Sequence, residues 1–277
     1  MFGTGLSAIN FKPYRAIFRI RFTNSLQYRA AAFGGLVTQF AWGGMYVLAF
    51  AAFYRSNPEN FPMTFSQTVT YIWLQQGFMA LFFLWFYENT IIEAIESGSI
   101  AYEMVRPMDL YSRWFAIISA NRVSRTLLRC VPLLLVAVVL PQPFRLVIPF
   151  DLAQLGLFTL SMALAFCVTI TFSMLIYISA FYTLNSMGTR LIVAVASDFL
   201  SGAYIPLPFF PDTVRVVMEL LPFGSMQNMP LLIFSGHVYG AAALRGVGIQ
   251  VFWVVVLFIA GRIWMNHALK RVVVQGG

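Results

Sequence analysis

Long uncharged stretches, separated by short charged segments, set the pattern of the chain. The first covers residues 30–54, which is 25 residues without a charge. At about 1.5 Å per residue, a helix of that length crosses a hydrocarbon core of about 30 Å with some tilt. Five more apolar stretches follow, at about residues 69–87, 114–140, 152–184, 190–205 and 247–265. The pattern predicts an all-α polytopic membrane protein with six transmembrane helices.

Two of these stretches depart from the simple pattern. The third contains Arg122, Arg125 and Arg129, whose spacing of three and four residues puts them on one helix face. We expect this helix to begin in the cytoplasm and its basic face to meet headgroups or protein. Residues 152–189 hold no charge over 38 positions. The fourth helix is therefore either unusually long or ends near residue 184, before a turn at residues 185–188.

Proline interrupts the segment at residues 206–243, before the last apolar stretch. Its five prolines are Pro206, Pro208, Pro211, Pro222 and Pro230. Two apolar runs lie between them, near residues 214–221 and 226–234, and each is too short to cross a bilayer. We expect two short helices that dip into the edge of the membrane.

Basic and aromatic residues alternate at residues 1–29. The basic positions include Lys12, Arg15 and Arg19, with aromatic side chains between them. This mixture predicts a basic amphipathic helix in the headgroup plane, and no apolar core suits a cleaved signal peptide. A disordered basic tail is the alternative.

Composition and charge agree with a membrane protein. Hydrophobic residues make up 60% of the chain and charged residues only 10%, whereas soluble domains carry about 25% charged residues. Of the 18 Lys and Arg residues, 14 fall on the side that holds both chain ends and 4 on the other. By the positive-inside rule both ends are cytoplasmic. Membrane orientation explains this basic excess better than nucleic-acid binding does.

Motifs for covalent chemistry are missing from the sequence. Neither lysine follows a glycine, so there is no phosphate-binding P-loop, and no Gly-x-Ser-x-Gly, His-Glu-x-x-His or Cys-x-x-Cys motif is present. We expect no catalytic residue, no metal site and no cofactor in this chain. One acid, Asp198, lies within an apolar stretch, where a carboxylate is a functional candidate by default. The alternatives are a hydrogen bond to Ser197 or Ser201, or a contact with a partner chain.

Half of the ten acidic residues fall between the second and third stretches, at residues 88–113. They are Glu88, Glu93, Glu96, Glu103 and Asp109. Isoleucines alternate with these acids at helical spacing, and Gly98 suits the end of a helix. The segment predicts a short cytoplasmic helix followed by a second turn. It is either a docking surface, with acids beside exposed isoleucines, or a solvated loop whose acids pair with the arginines of the third stretch.

Two motifs carry a resemblance to a known family. Glu93-x-x-x-x-Gly98, followed by an apolar run and Arg106-Pro107, resembles the coupling helix of type-2 ATP-binding-cassette exporter permeases. Met218-Glu-Leu-Leu-Pro222-Phe, with the run to Gly236, is similar to the external re-entrant hairpin of that family. The Arg-Pro ending is most similar to small bacterial permeases without a fused ATPase domain. One departure is the third stretch, whose arginines leave its boundaries open.

The resemblance implies a single transmembrane permease domain over residues 1–277, with an interface helix at residues 1–29. It implies an ATPase-coupling site, formed by Ile91, Ile92, Glu93, Ile95, Glu96, Gly98, Arg106 and Pro107. A substrate path between the second and fifth spans would use their polar groups, which are Gln75, Gln76, Asn185, Ser197, Asp198 and Ser201. Pro211, Pro222 and Gly236 would shape the re-entrant segment.

The implied partners are two ABC ATPase subunits, which would bind the ATP and Mg²⁺, and a second permease, identical or related. The implied location is the bacterial plasma membrane, with no nucleic acid involved. Two other classes stay open. An integral membrane enzyme that modifies lipids would need a cluster of carboxylate, histidine or cysteine at one membrane face, and a non-transporting scaffold would need none.

Overall fold

The computed structural model describes residues 12–27, 29–149, 151–183 and 186–271, and within them the chain is helical, without strands. The helices are α1 (Lys12–Ser25), α2 (Arg29–Ser56), α3 (Phe65–Phe82), α4 (Asn89–Glu96), α5 (Ile100–Met104), α6 (Leu110–Val139), α7 (Leu152–Ser179), α8 (Met187–Leu200), α9 (Asp212–Leu220), α10 (Asn228–Phe234) and α11 (Gly240–Leu269). The predicted all-α class is confirmed.

Three helices in the described part of the chain are long and apolar enough to cross a membrane. They cover Gly34–Ser56, Leu152–Tyr182 and Gly240–Leu269. The other three predicted spans correspond to α3, α6 and α8. Glutamines make α3 more polar, arginines do the same for α6, and α8 has only 14 residues. The prediction of six spans stays a prediction for these three.

Several boundaries differ from those predicted. The long fourth helix is confirmed, because α7 runs to Ser179 and a 3-10 turn continues to Tyr182. The turn expected at residues 185–188 lies partly outside the described residues, since Asn185 is not among them. Helix α8 ends at Leu200, short of residue 205, because Gly202 takes a φ of +79°. A Cβ on Gly202 would lie 2.9 Å from the hydroxyl of Tyr71, so only glycine fits this turn.

Helix α3 lies inside the bundle, packed against α2, α6, α7 and α10. Tyr71, Ile72 and Leu74 are buried, and the indole N–H of Trp73 donates to the carbonyl of Phe144 at 2.9 Å. Protein therefore covers most of α3, which allows it to carry glutamines that lipid would not solvate.

Helix α1 packs against α6 instead of standing apart as a tail. The backbone N–H of Asp109 donates to the hydroxyl of Tyr14 at 3.3 Å, and the rings of Phe18 and Phe22 stack at 5.9 Å. Residues 1–11 of the predicted interface segment lie outside the described residues. The helix is thus found, while its place at the headgroups stays a prediction.

Arg122 ties three helices together in the interior. It is 3% exposed, and its Nη1 donates to the carbonyls of Leu81 at 3.0 Å and Phe83 at 2.9 Å. Its Nη2 donates to Ser173 Oγ of α7 at 3.2 Å. These carbonyls lie where α3 ends, and a cation at a helix C-terminus also meets the negative end of the helix dipole. We expected the basic face of α6 to meet either lipid headgroups or protein, and the partner of Arg122 is protein.

The acids of residues 88–113 do not pair with Arg122, Arg125 or Arg129, so that form of the solvated-loop interpretation is wrong. Glu103 pairs with Arg113 at 3.1 Å, and Asp109 pairs with Arg262 of α11 at 2.7 Å. The reason is position along the helix: the acids lie near the start of α6, and Arg122 lies three turns further along it.

We expect Arg122→Met to destabilise the folded chain. Methionine, like the stem of arginine, is unbranched and apolar, but it cannot donate a hydrogen bond. Each buried carbonyl left without a donor lowers the free energy of unfolding by about 1–3 kcal/mol. The unfolding temperature of the purified protein in detergent should fall by at least about 5 °C. Arg145→Met, at an exposed position, is the control and should change it little. Equal unfolding temperatures for the two variants would show that Arg122 is not a structural tie.

Candidate functional site

The segment between α3 and α6 forms two short helices joined by a tight turn. Helix α4 ends at Glu96, and Gly98 takes a φ of +73°, which glycine adopts without strain. Helix α5 then adds one turn before Arg106 and Pro107, both of which are exposed. The predicted helix, glycine stop and second turn are confirmed.

The expectation of exposed isoleucines on α4 is wrong for two of the three. Ile91 is 4% exposed and Ile92 is 3% exposed, and both belong to a core cluster with Trp114 of α6 and Tyr177 of α7. Ile95 is half-buried against the same cluster. A helix of eight residues cannot stay folded alone, so packing of its apolar face against α6 and α7 is what stabilises it. These isoleucines hold the segment to the bundle.

Three acids of this segment also make hydrogen bonds or ion pairs with other parts of the chain. Asn121 of α6 donates to the carboxylate of Glu88, and the hydroxyl of Ser186 donates to Glu96 at 2.9 Å, just before α8 begins. The carboxylate of Glu103 accepts from the indole of Trp114 at 3.2 Å as well as from Arg113. The two glutamates expected to meet a partner, Glu93 and Glu96, are both exposed, and Glu96 also accepts the hydrogen bond from Ser186 before α8.

The apolar residues that this segment presents outward are on α5 and just after it. Tyr102 is 80% exposed, Val105 is 84% exposed, and Met104 lies exposed between them. Sequence reasoning missed these positions because it followed the isoleucines. The sequence did contain a signal for their exposure. The apolar run Ile-Ala-Tyr-Glu-Met-Val is too short a helix to be buried on all sides, so some of its apolar residues must be exposed. We call Glu93, Tyr102, Met104, Val105 and Arg106 the outer face of the segment.

A second group of predicted residues lies inside the bundle. Gln75 and Gln76 of α3 and Ser197, Asp198 and Ser201 of the α8 region are all buried. The amide of Gln75 donates to the carbonyl of Ala203. The structure therefore brings α3 into contact with the chain just after α8, and the substrate path itself stays a prediction. Asn185, which was assigned to the same path, lies outside the described residues.

Tyr71 and Asn228 extend this buried layer toward the segment after α8. The hydroxyl of Tyr71 lies 3.1 Å from the carbonyl of Gly202 and 3.1 Å from Oδ1 of Asn228. The amide of Asn228 thus links α10 to α3. Neither residue was picked out from the sequence, because single polar residues in or beside apolar runs give no distinctive pattern.

Asp198 has a partner that the sequence did not suggest. Its carboxylate accepts from the indole N–H of Trp85, which lies after the end of α3. Ser197 contacts the sulfur of Met226 at 3.7 Å, and Ser201 donates to the backbone carbonyl of Asp198 at 3.4 Å. The serines on either side therefore do not bind the carboxylate. The acid holds the connection after α3 against α8.

The segment at residues 206–243 folds as two short helices held by the ends of α7 and α11. Pro211 precedes α9, Pro222 follows it, and Gly236 ends the turn after α10 with a φ of +75°. Gln154 of α7 donates to the carbonyl of Ile233 at 2.7 Å. Gln250 of α11 donates to the carbonyl of Ser225 at 3.0 Å. The predicted pair of short helices is confirmed, and its place at the outer membrane edge stays a prediction.

Comparison with known proteins gives one finding that covers most of the chain. A family model described as ABC-2 family transporter protein matches residues 40–276. The match includes the α4–α5 segment, the buried layer and the paired short helices. No curated protein matches the chain.

We expect Asp198→Asn to fold like the wild type and Asp198→Ala to be less stable. The amide oxygen of asparagine can still accept from Trp85, whereas alanine leaves the indole without its acceptor, at a cost of about 0.5–1.5 kcal/mol. Thermal unfolding and size-exclusion profiles of the two purified variants measure the difference. If both variants unfold at the same temperature as the wild type, the Trp85 contact does not stabilise the fold.

Proposed function

Because the chain belongs to the ABC-2 family of transporter proteins, we propose that it is the permease subunit of an ATP-driven exporter. It is a multi-pass membrane protein with a transport role. In this proposal two ABC ATPase subunits bind ATP and Mg²⁺, and a second permease, identical or related, completes the transport path. The chain itself does no covalent chemistry. The family match carries the proposal, and the geometry of residues 88–113 supports it.

The outer face of that segment is the proposed contact with the ATPase. Tyrosine, methionine and arginine are enriched at protein interfaces, and this face exposes Tyr102, Met104 and Arg106. Tyr102 and Val105 give the apolar contact, and Glu93 and Arg106 give charges at its rim. This assignment moves the contact from the isoleucines of α4 to the turn that follows them.

Motion of the ATPase pair would pass through the inner side of the same segment. Ile91 and Ile92 fix α4 to α6 and α7, and Glu96 holds Ser186 at the start of α8. Glu103 and Arg113 join α5 to α6. A push on the outer face therefore reaches three helices as one packed unit, which is how a rigid-body change spreads through a bundle.

The path for the cargo is proposed to run beside α3 and α8, toward the second permease. Gln75, Gln76, Ser197, Asp198 and Ser201 are the polar groups of these helices. In the described state they are packed within one chain, so opening of a path requires α8 to move relative to α3. Such a movement would have to break the contacts of Gln75 with Ala203 and of Trp85 with Asp198.

The proposed topology has six spans in the bacterial plasma membrane with both ends in the cytoplasm. The paired helices α9 and α10 would form the external re-entrant segment, and α1 would lie at the inner surface. The distribution of 14 basic residues against 4 supports this orientation.

Cysteine labelling tests that orientation. We expect a single cysteine at Arg106 to be labelled by a membrane-impermeant maleimide only after the cells are opened, and one at Arg245 to be labelled in intact cells. Both positions are exposed. The native Cys130 and Cys167 are first replaced by serine. Labelling of the position 106 cysteine in intact cells would contradict the topology.

Matched tyrosine variants test the ATPase contact. We expect Tyr102→Asp to reduce recovery of the ATPase in pull-down at least tenfold, because a charge buried at an apolar contact loses its hydration. Tyr239→Asp is the control, since Tyr239 is 75% exposed but lies at the start of α11, on the proposed outer side. The probe is the ABC ATPase recovered with the wild-type permease from its native membrane.

Recovery of both variants in the membrane fraction checks their insertion, and size-exclusion chromatography in detergent checks their folding, before the pull-down. Equal ATPase recovery by wild type and Tyr102→Asp would remove the outer face as the contact. Absence of any ATPase in pull-downs of the wild type from its native membrane would contradict the exporter proposal itself.

A further inference from the structure

Arg125 and Arg129 have a different environment from Arg122, although the three share one face of α6. Arg122 is buried and held by carbonyls, whereas Arg125 and Arg129 are half-buried. The four ion pairs found among the described residues involve Arg113, Arg215 and Arg262, and neither of these two arginines. All ten acidic residues lie in the described part of the chain. Two adjacent positive charges therefore stand on one helix face without a carboxylate.

Helix α2 locates Arg129 relative to the bilayer. A Cβ built on Gly35 would lie 2.8 Å from the guanidinium carbon of Arg129, so this side chain rests directly on the backbone of α2. The uncharged stretch of α2 begins at residue 30, so Gly35 is its sixth residue, about 9 Å along the helix from Arg29. The guanidinium thus lies in the first third of the span, from which a long arginine side chain reaches the lipid headgroups.

A buried amide on the same face of α2 has no partner. Gln39 is one helical turn further into the span than Gly35, and it is 2% exposed. Neither its Nε2 nor its Oε1 has a hydrogen-bond partner among the described residues. Buried polar groups are nearly always paired, so this amide marks an unsatisfied position in the packing of α2. At 2% exposure it is too deeply buried to contact a lipid headgroup, and the site does not include it.

Part of the surface of α6 beyond Arg129 is apolar and exposed, whereas Leu133 and Ala137 are buried. Val136 and Val139 are exposed, and their spacing of seven and ten residues from Arg129 keeps them on its side of the helix. An unpaired cation is therefore followed, along the last ten residues of α6, by exposed aliphatic surface. This is the order of groups along an anionic lipid: phosphate first, then acyl chain.

We propose that Arg125 and Arg129 bind the phosphate of an anionic phospholipid headgroup, with the acyl chains along Val136 and Val139. Arginine binds phosphate oxygens through several N–H groups at once, and charge-assisted hydrogen bonds of this kind are about twice as strong as neutral ones. Two cations facing one phosphate relieve the repulsion between them. Gly35 leaves room for the guanidinium between α2 and α6. The site is independent of ATP and of the ATPase partner.

Native mass spectrometry of the purified permease in detergent tests the site, with phosphatidylglycerol and phosphatidylcholine added in graded amounts. We expect the wild type to bind at least one phosphatidylglycerol with a preference of tenfold or more over phosphatidylcholine. Arg125→Gln/Arg129→Gln should lose that preference. The control, Arg55→Gln/Arg245→Gln, removes two exposed arginines and the same charge, and it should keep the preference.

A second variant keeps the proposal testable if the double substitution harms folding. Gly35→Leu places a side chain where the guanidinium of Arg129 rests, so it should weaken phosphatidylglycerol binding without removing a charge. Excess inorganic phosphate should not displace the lipid, because phosphate lacks the acyl contact. Full retention of phosphatidylglycerol by Arg125→Gln/Arg129→Gln, or by Gly35→Leu where that double variant does not fold, would overturn the proposal. Displacement by inorganic phosphate would do the same.

Discussion

The buried guanidinium of Arg122 is the interaction on which the packing of the bundle depends. It brings a charge into an apolar interior, which is costly unless hydrogen bonds replace its hydration. The end of α3 supplies two carbonyls to Nη1 and α7 supplies a hydroxyl to Nη2, while Nε has no hydrogen-bond partner among the described residues. No acid is needed, because the carbonyls at a helix end already carry partial negative charge. The arrangement fixes where α3 stops, and so it fixes where the chain turns toward α4 and α5.

The contacts just beyond that turn give the α4–α5 segment two sides with different chemistry. Its inner side is tied to the bundle by isoleucines and by hydrogen-bonded acids, and its outer side presents Tyr102 and Val105. Transmission of motion from a partner to the bundle needs both properties, because a loosely attached loop would move without moving the helices. The separation also explains why acids and isoleucines alternate here: each residue type serves the packing of a short helix that could not fold alone.

The sequence was sufficient where a feature depends on neighbouring residues. The uncharged lengths of α2, α7 and α11, the glycine stop at Gly98 and the proline-bounded helices α9 and α10 are all local properties, and they were found close to their predicted positions. Contacts between residues that are far apart in the chain could not be predicted from the sequence. Trp85 and Asp198 are 113 residues apart. The burial of Ile91 depends on which helix covers it, and helical periodicity shows only that some element must.

Helix α3 also has a consequence for biosynthesis. Its glutamines make it a poor substrate for insertion into lipid by itself, yet the carbonyl that binds Gln75 belongs to Ala203, 128 residues later in the chain. During translation α3 therefore leaves the ribosome long before its partner exists. It must wait at the insertion machinery, or beside α2, until α8 has been made. Until then Gln75 has no contact with Ala203, so the final placement of α3 is a late step in assembly.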